Sequence, residues 1–168
     1  MKHHPHLLIV GYGRHGKDTA AEFFRDVFSL RFKSSSEAAA EIFLFDTLKE
    51  KYGYKTFEEC YNDRANHRAE WADLINEYNR EDPTRLARAI LNINDCYVGM
   101  RDPIEVNACM EAGLFDLIIW IDACERLPKE DESSIKITKA IADIIVENNG
   151  TPEEFKQKLY HLGKVIFK

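Results

Sequence analysis

Residues Leu7 to Thr19 read LLIVGYGRHGKDT. Four apolar residues, Leu7 to Val10, predict a buried strand. Gly11 to Lys17 then fits the spacing G-x-x-x-x-G-K, and Thr19, Ala20, Ala21, Glu22, Phe23 and Phe24 continue as a helical pattern. Strand, glycine loop and helix in that order are the context a phosphate-binding loop requires. The glycines let backbone N–H groups turn inward around phosphate oxygens, the helix N-terminus adds partial positive charge, and Lys17 reaches the terminal phosphates. The stretch therefore predicts a nucleoside triphosphate site: a backbone cradle from Gly11 through Gly13, Arg14 and His15 to Gly16, with Lys17, Asp18 and Thr19 behind it. One position departs from the pattern. The residue after the lysine, normally a Ser or Thr that ligands magnesium, is Asp18, with Thr19 one place later. The alternative is a tight strand-to-helix turn with an incidental lysine.

The other bounds are ordinary. At 168 residues, 45% hydrophobic and 31% charged, the chain has the size and composition of one globular domain. No apolar run approaches the roughly 20 residues of a membrane span. Met1 to His6 has no apolar signal-peptide core, which predicts an intracellular protein with no membrane partner. Cys60, Cys96, Cys109 and Cys124 are widely spaced without a C-x-x-C, as expected of reduced, packed thiols in cytoplasm. His3, His4 and His6 are read as a solvated tail in preference to a metal site. A net charge of −6 argues against broad, non-specific duplex binding but leaves room for a local arginine cluster.

Along the chain, helices are expected at about 17–29, 37–52, 56–80, 83–92, 103–112 and 151–162. Strands are expected at 30–33, 95–100, 117–121 and 144–146, in addition to the first. Ser34, Ser35 and Ser36 follow the second strand, suited either to a ligand or to helix capping by Ser36. Within 56–80, Arg64, Arg68, Trp71 and Ile75 fall at steps of four, three and four. On one helix that stripe makes a phosphate clamp beside an aromatic wall, or a solvated basic edge with Trp71 in the core. Arg85 and Arg88 read as surface. Arg101 and Asp102 stand at the carboxyl end of one strand and Asp122 at the end of another, where ligands sit in open parallel sheets. Residues 123–134, ACERLPKEDESS, read as a lid carrying Arg126, or as a plain connecting loop. Strands alternate with helices and no repeat or composition break occurs, so the expectation is one α/β domain.

These residues also resemble a known family. GYGRHGKDT is similar to the loop of the bacteriophage deoxynucleoside monophosphate kinases, whose GKDT likewise puts Asp after the lysine. Tyr97 to Glu105, YVGMRDPIE, looks like that family's strand-arginine-x-x-x-glutamate segment, and 142–155, ADIIVENNGTPEEF, like its closing strand, Asn-Gly turn and helix. The middle, ECYNDRANHRAEWADLINEYN, resembles small phage P-loop kinases, some of which phosphorylate 5-hydroxymethyluracil within DNA. The resemblance implies a P-loop NTPase fold of nucleotide-kinase type: a five-stranded parallel sheet flanked by helices, with a short lid. It implies ATP and Mg2+ as cofactors and, if phage-encoded, the host cytoplasm. Lys17 is then expected on the β/γ-phosphates, Asp18 with Thr19 on magnesium, and Arg126 over the transition state. Ser35, Arg64, Arg68 and Arg101 are expected at the acceptor, Trp71 against its base, and Asn149-Gly150 beside adenine. The expected acceptor is a deoxynucleoside monophosphate. A hydroxymethyluracil base in DNA is the alternative, with Asp102, Asp46 or Asp122 as general base, and a non-catalytic nucleotide switch is a remote third.

Overall fold

A computed structural model describes residues 4–132 and 135–168. Four strands form one parallel sheet in the order β2-β1-β3-β4: β1 (Leu7–Val10), β2 (Cys96–Val98), β3 (Leu117–Asp122) and β4 (Ile144–Glu147). In register, Leu7 stands between Cys96 and Leu117, Ile9 between Val98 and Ile119, and Trp120 beside Ile145.

Because successive strand residues point to opposite faces, the apolar strands feed two cores. Leu8, Val10, Tyr97, Ile118 and Trp120 face one side. There they meet α2 (Ser35–Ala39), a π-helical turn (Ala40–Leu44), α3 (Phe45–Tyr52), α4 (Phe57–Asp63), α5 (Arg68–Tyr78), α6 (Arg85–Leu91) and α7 (Pro103–Glu111). Leu7, Ile9, Val98, Ile119 and Ile121 face the other side, against α1 (Lys17–Phe28) and α8 (Pro152–Ile166). Leu7 to Val10 are fully buried. At roughly 1.5–3 kcal/mol per buried aliphatic side chain, this central strand contributes substantially to stability, and the Gly11 to Lys17 loop follows at its end.

Three expectations are corrected. The sheet has four strands among the described residues, not five, because residues 30–33 form no ladder. The Arg31 carbonyl accepts from the Asp95 N–H at 2.8 Å, but the Arg31 N–H is captured by the Asp95 carboxylate at 2.8 Å, so pairing stops after one backbone bond. The expected helix 56–80 is broken. α4 ends at Asp63, a single 3-10 turn covers Arg64–Asn66, and α5 begins at Arg68. The Asp63 carboxylate accepts from Tyr54 Oη, Asn66 Nδ2 and the His67 ring, and these bonds fasten the break. Ser34, not Ser36, caps α2, its hydroxyl accepting from the Glu37 N–H at 3.2 Å.

Of the expected lid, Ser133 and Ser134 lie outside the described residues. The rest of 123–134 forms a turn at Ala123 to Leu127 and an irregular segment, followed by Ile135 and Ile137 buried in the first core. His3 also lies outside the described residues. The His4 ring packs edge-on against Phe167, and the His6 N–H donates to Asp116. No helix among the described residues is long and apolar enough to cross a membrane.

Candidate phosphate-transfer site

The carboxyl ends of the four strands carry the site. After Val10 the chain turns at Gly11, φ +147°, where a Cβ would lie 2.5 Å from the Ile121 carbonyl oxygen of β3. Gly16, φ +109°, leads into α1 with no side-chain cap, so the first-turn N–H groups stay available to an anion. Lys17 curls back over the loop and its Nζ donates to the Tyr12 carbonyl at 2.9 Å. Burial, then the nearby Arg101 guanidinium, lower the Lys17 pKa against the opposing pull of Glu130 and Asp18.

His15 is fully buried and does something the motif did not foretell. Its Nδ1 accepts from the Ala123 N–H at 3.0 Å, which leaves the ring proton on Nε2, donated to the Pro128 carbonyl at 3.0 Å. The ring thus bolts the phosphate loop to the end of β3 and the segment beyond it. The His15 carbonyl accepts from the buried Asn148 side chain at 2.9 Å, which ties the loop to β4 as well. His15, Asp122 and Cys124 place ligand atoms within 4.8 Å of one another. Both imidazole nitrogens are already used, so this cluster is structural.

A cavity of about 480 Å³ opens between the loop and the helices on the first face. Gly13, Arg14, Lys17 and Asp18 line one wall; Ser34, Ser35 and Ser36 line another; Arg101, Asp102 and Glu105 close the end of β2. Arg64, Arg68 and Trp71 line a neighbouring cavity of about 370 Å³, joined to the first through the shared residues Ser36, Ala72 and Ile75. The arginines therefore converge despite the broken helix. The Arg64 guanidinium lies 3.9 Å from the Tyr61 ring centre and donates to the Tyr61 carbonyl at 2.8 Å, while Arg68 is exposed. Trp71 is 6% exposed and belongs to the core as well as the cavity wall.

Other expected residues lie elsewhere. Arg126 Nε donates to the Asn148 carbonyl at 2.7 Å, and Asn149 Oδ1 accepts from the Glu125 N–H at 3.1 Å. These bonds fasten the start of residues 123–134 to the end of β4, away from the cavity walls. Gly150 precedes the capping box of α8, and Thr19 is exposed on α1. Of the three candidate general bases, Asp102 lines the cavity. Asp46 is exposed and paired with Lys49, and Asp122 accepts from the Cys124 N–H and Lys139. Arg85 stacks on Tyr78, and Arg88 donates to Thr84.

Two carboxyl groups take positions that the sequence did not assign them, Glu130 unremarked there and Glu105 known only as the last residue of the YVGMRDPIE segment. Glu130 reaches the loop from the segment after β3: both its oxygens accept from Arg101 Nη1, at 3.0 and 2.8 Å, and the Gly13 N–H donates to it. Burial alone raises its pKa, but Arg101, the Gly13 N–H and Lys17 outweigh that and hold it below the usual glutamate value. Its only sequence signal is an acid within a Pro-interrupted charged stretch. Glu105 accepts from Tyr97 Oη at 3.0 Å, and burial pushes its pKa up to about 7. The sequence marked it as the glutamate four residues after Arg101 but gave it no partner and no role.

No protein-family model and no curated protein matches the sequence. Among solved structures, the chain is similar to an unliganded sugar kinase from Janibacter sp., with a TM-score of 0.50 and 12% identity over 98% of this chain and 96% of that one. The chain shares the α/β fold of that kinase, a parallel sheet flanked by helices. It is also similar to a shikimate kinase from Aquifex aeolicus (TM-score 0.47, 14% identity, 97% of this chain and 99% of that one). A protein from Thermus thermophilus gives a TM-score of 0.48 and 14% identity, covering 99% of this chain and 100% of that one.

Proposed function

We propose that this protein transfers the γ-phosphoryl group of ATP to a deoxynucleotide-type acceptor, with a deoxynucleoside monophosphate, converted to the diphosphate, as the first reading. One observation carries it: a single cavity is walled by the phosphate loop with Lys17 on one side and by the Ser34–Ser36 hydroxyls and Arg101 on the other. Phosphoryl transfer asks the protein to align donor and acceptor, neutralise spreading charge and exclude water. The backbone from Gly11 to Gly16 would cradle the phosphates and Lys17 would neutralise their developing charge. Arg101 would bind the acceptor phosphate, which is already ionised and needs no base. Magnesium fits the donor set, since the Asp18 carboxylate is a hard oxygen ligand on the wall beside Lys17. When bound, it would screen the transferring phosphate.

The adjoining cavity favours a second reading, phosphorylation of a hydroxymethyluracil base in DNA. Arg64 and Arg68 beside Trp71 would suit a strand's phosphates next to an extruded base. The test supplies radiolabelled ATP with a panel of deoxynucleoside monophosphates or with hydroxymethyluracil-containing DNA. Label in the free nucleotides supports the first reading. Label only in the DNA replaces it with the second, and ATP binding without transfer to either leaves a nucleotide switch.

A further inference from the structure

Glu105 is a carboxyl group in an unusual place. It sits in the first turn of α7, partly buried, and among the described residues its hydrogen-bond partner is Tyr97. Tyr97 is 4% exposed, and burial raises its pKa, so the phenol keeps its proton and donates. One carboxyl oxygen is thereby taken. No buried side-chain oxygen among the described residues lacks a partner, so the other oxygen keeps access to solvent, on a residue that lines the cavity.

The position within that cavity is also defined. Glu105, Asp102 and Asn76 are shared with a smaller cavity of about 200 Å³, lined further by Asn79, Arg80 and Pro83, which Gly13 and Lys17 do not reach. Glu105 therefore stands at the end of the first cavity that meets this smaller one. A carboxylate held by a phenol, with an amide alongside, is poised to accept from a ligand N–H. A deoxynucleotide whose phosphate lies at Lys17 and Arg101 directs its base to that end.

We propose that Glu105, oriented by Tyr97, determines acceptor specificity by accepting a hydrogen bond from an N–H on the base of the deoxynucleotide. This rests on the functional reading above and extends it to the end of the site that meets the smaller cavity. The charged and titratable groups around Glu105 are Tyr97 on β2, Asp102 and Cys109 on α7, Arg101 at the strand end and Arg80 beyond α5, with Lys17 and Asp18 across the cavity. Burial raises its pKa to about 7, Asp102 adds to the rise, and the Tyr97 bond opposes it.

The experiment begins with the wild-type chain, ATP and the acceptor panel. Transfer to no nucleotide or hydroxymethyluracil-DNA acceptor overturns the functional reading and this inference with it. Given transfer, Glu105→Gln is assayed alongside, with its melting temperature and ATP affinity checking the fold. The expected result is an acceptor KM raised about tenfold with kcat nearly kept. The wild-type kcat/KM for the acceptor should fall below a midpoint near 7, a limb the Gln variant lacks; any limb from the acceptor's own phosphate is common to both. Tyr97→Phe removes the bond that lowers the Glu105 pKa and should move that midpoint upward, which a merely structural glutamate would not do. An unchanged KM with the limb intact overturns the proposal. So does a loss confined to kcat, which would make Glu105 a general base instead.

Discussion

Arg101 Nη1 and Glu130 Oε2 meet at 2.8 Å across the mouth of the phosphate loop, joining the end of β2 to the segment that follows β3. The Gly13 N–H and Lys17 also act on Glu130, so its carboxylate is held by the groups expected to hold an ATP phosphate. Two anions competing for the same donors exclude one another. Glu130→Gln should therefore tighten ATP binding by about three- to tenfold, ~0.7–1.4 kcal/mol. The modest figure reflects a pair whose side chains are 41% and 26% exposed. Calorimetric titration with ATP measures it, and weaker binding would mean that Glu130 supports the loop instead of occupying it.

In the proposed reaction Lys17 is the side chain of this loop that meets the transferred phosphate. Lys17→Ala should lower kcat by at least about 100-fold, ~2.7 kcal/mol of transition-state stabilisation. Its effect on the melting temperature should be small, because its bond to Tyr12 stays within the loop. Single-turnover assays with labelled ATP make the measurement, and full activity would contradict every phosphotransfer reading.

Gly11→Ala should act on the fold before it acts on chemistry. The positive φ costs an alanine about 1–3 kcal/mol, and its Cβ would meet a backbone carbonyl 2.5 Å away that no rotamer change relieves. Urea denaturation should show a lower midpoint, with ATP affinity falling as β1 and β3 part.

This site and the fold were legible in the sequence to different depths. The loop, α1, the buried strands and the parallel sheet followed from apolar runs, glycine spacing and alternation, because local chemistry and packing agree there. The expected strand at 30–33 failed because its pairing was decided by Asp95, far along the chain, whose carboxylate takes the Arg31 N–H. The break at Arg64–Asn66 was likewise set by the Tyr54 and His67 bonds to Asp63, invisible to a count of apolar positions. His15 and Glu130 show the same limit at the site. Their partners, Pro128, Ala123 and Arg101, are distant in sequence and come together only through the sheet order.

Asp95 makes the fold pH-dependent. Burial of its side chain opposes ionisation, but the Arg31 guanidinium and N–H outweigh that and hold its pKa below the ordinary aspartate value. A depressed folded pKa means stability fully present above the unfolded value near about 4 and lost as pH falls through the folded value. Asp95→Asn should lower stability at pH 7 by about 1–3 kcal/mol and flatten the loss on acidification. Denaturant titrations between pH 7 and pH 3 measure both.

Arg68 separates the two acceptor readings without disturbing the fold. It is exposed, so Arg68→Ala should change stability by less than about 0.5 kcal/mol. Its neighbour Trp71 is core, and Trp71→Ala should cost about 3–5 kcal/mol and confound any binding measurement. If the second cavity receives a DNA strand, Arg68→Ala raises the KM for hydroxymethyluracil-containing DNA several-fold. The salt dependence of binding, log K against log salt, should then become shallower by about one unit, as expected for one lost phosphate contact. If the acceptor is a free deoxynucleoside monophosphate held at Arg101, the same substitution leaves its KM within about twofold, because the first cavity does not include Arg68. Parallel titrations of both acceptors at two salt concentrations distinguish these outcomes. Arg101→Ala serves as the contrasting variant, weakening both acceptors because Arg101 borders the cavity that either must enter.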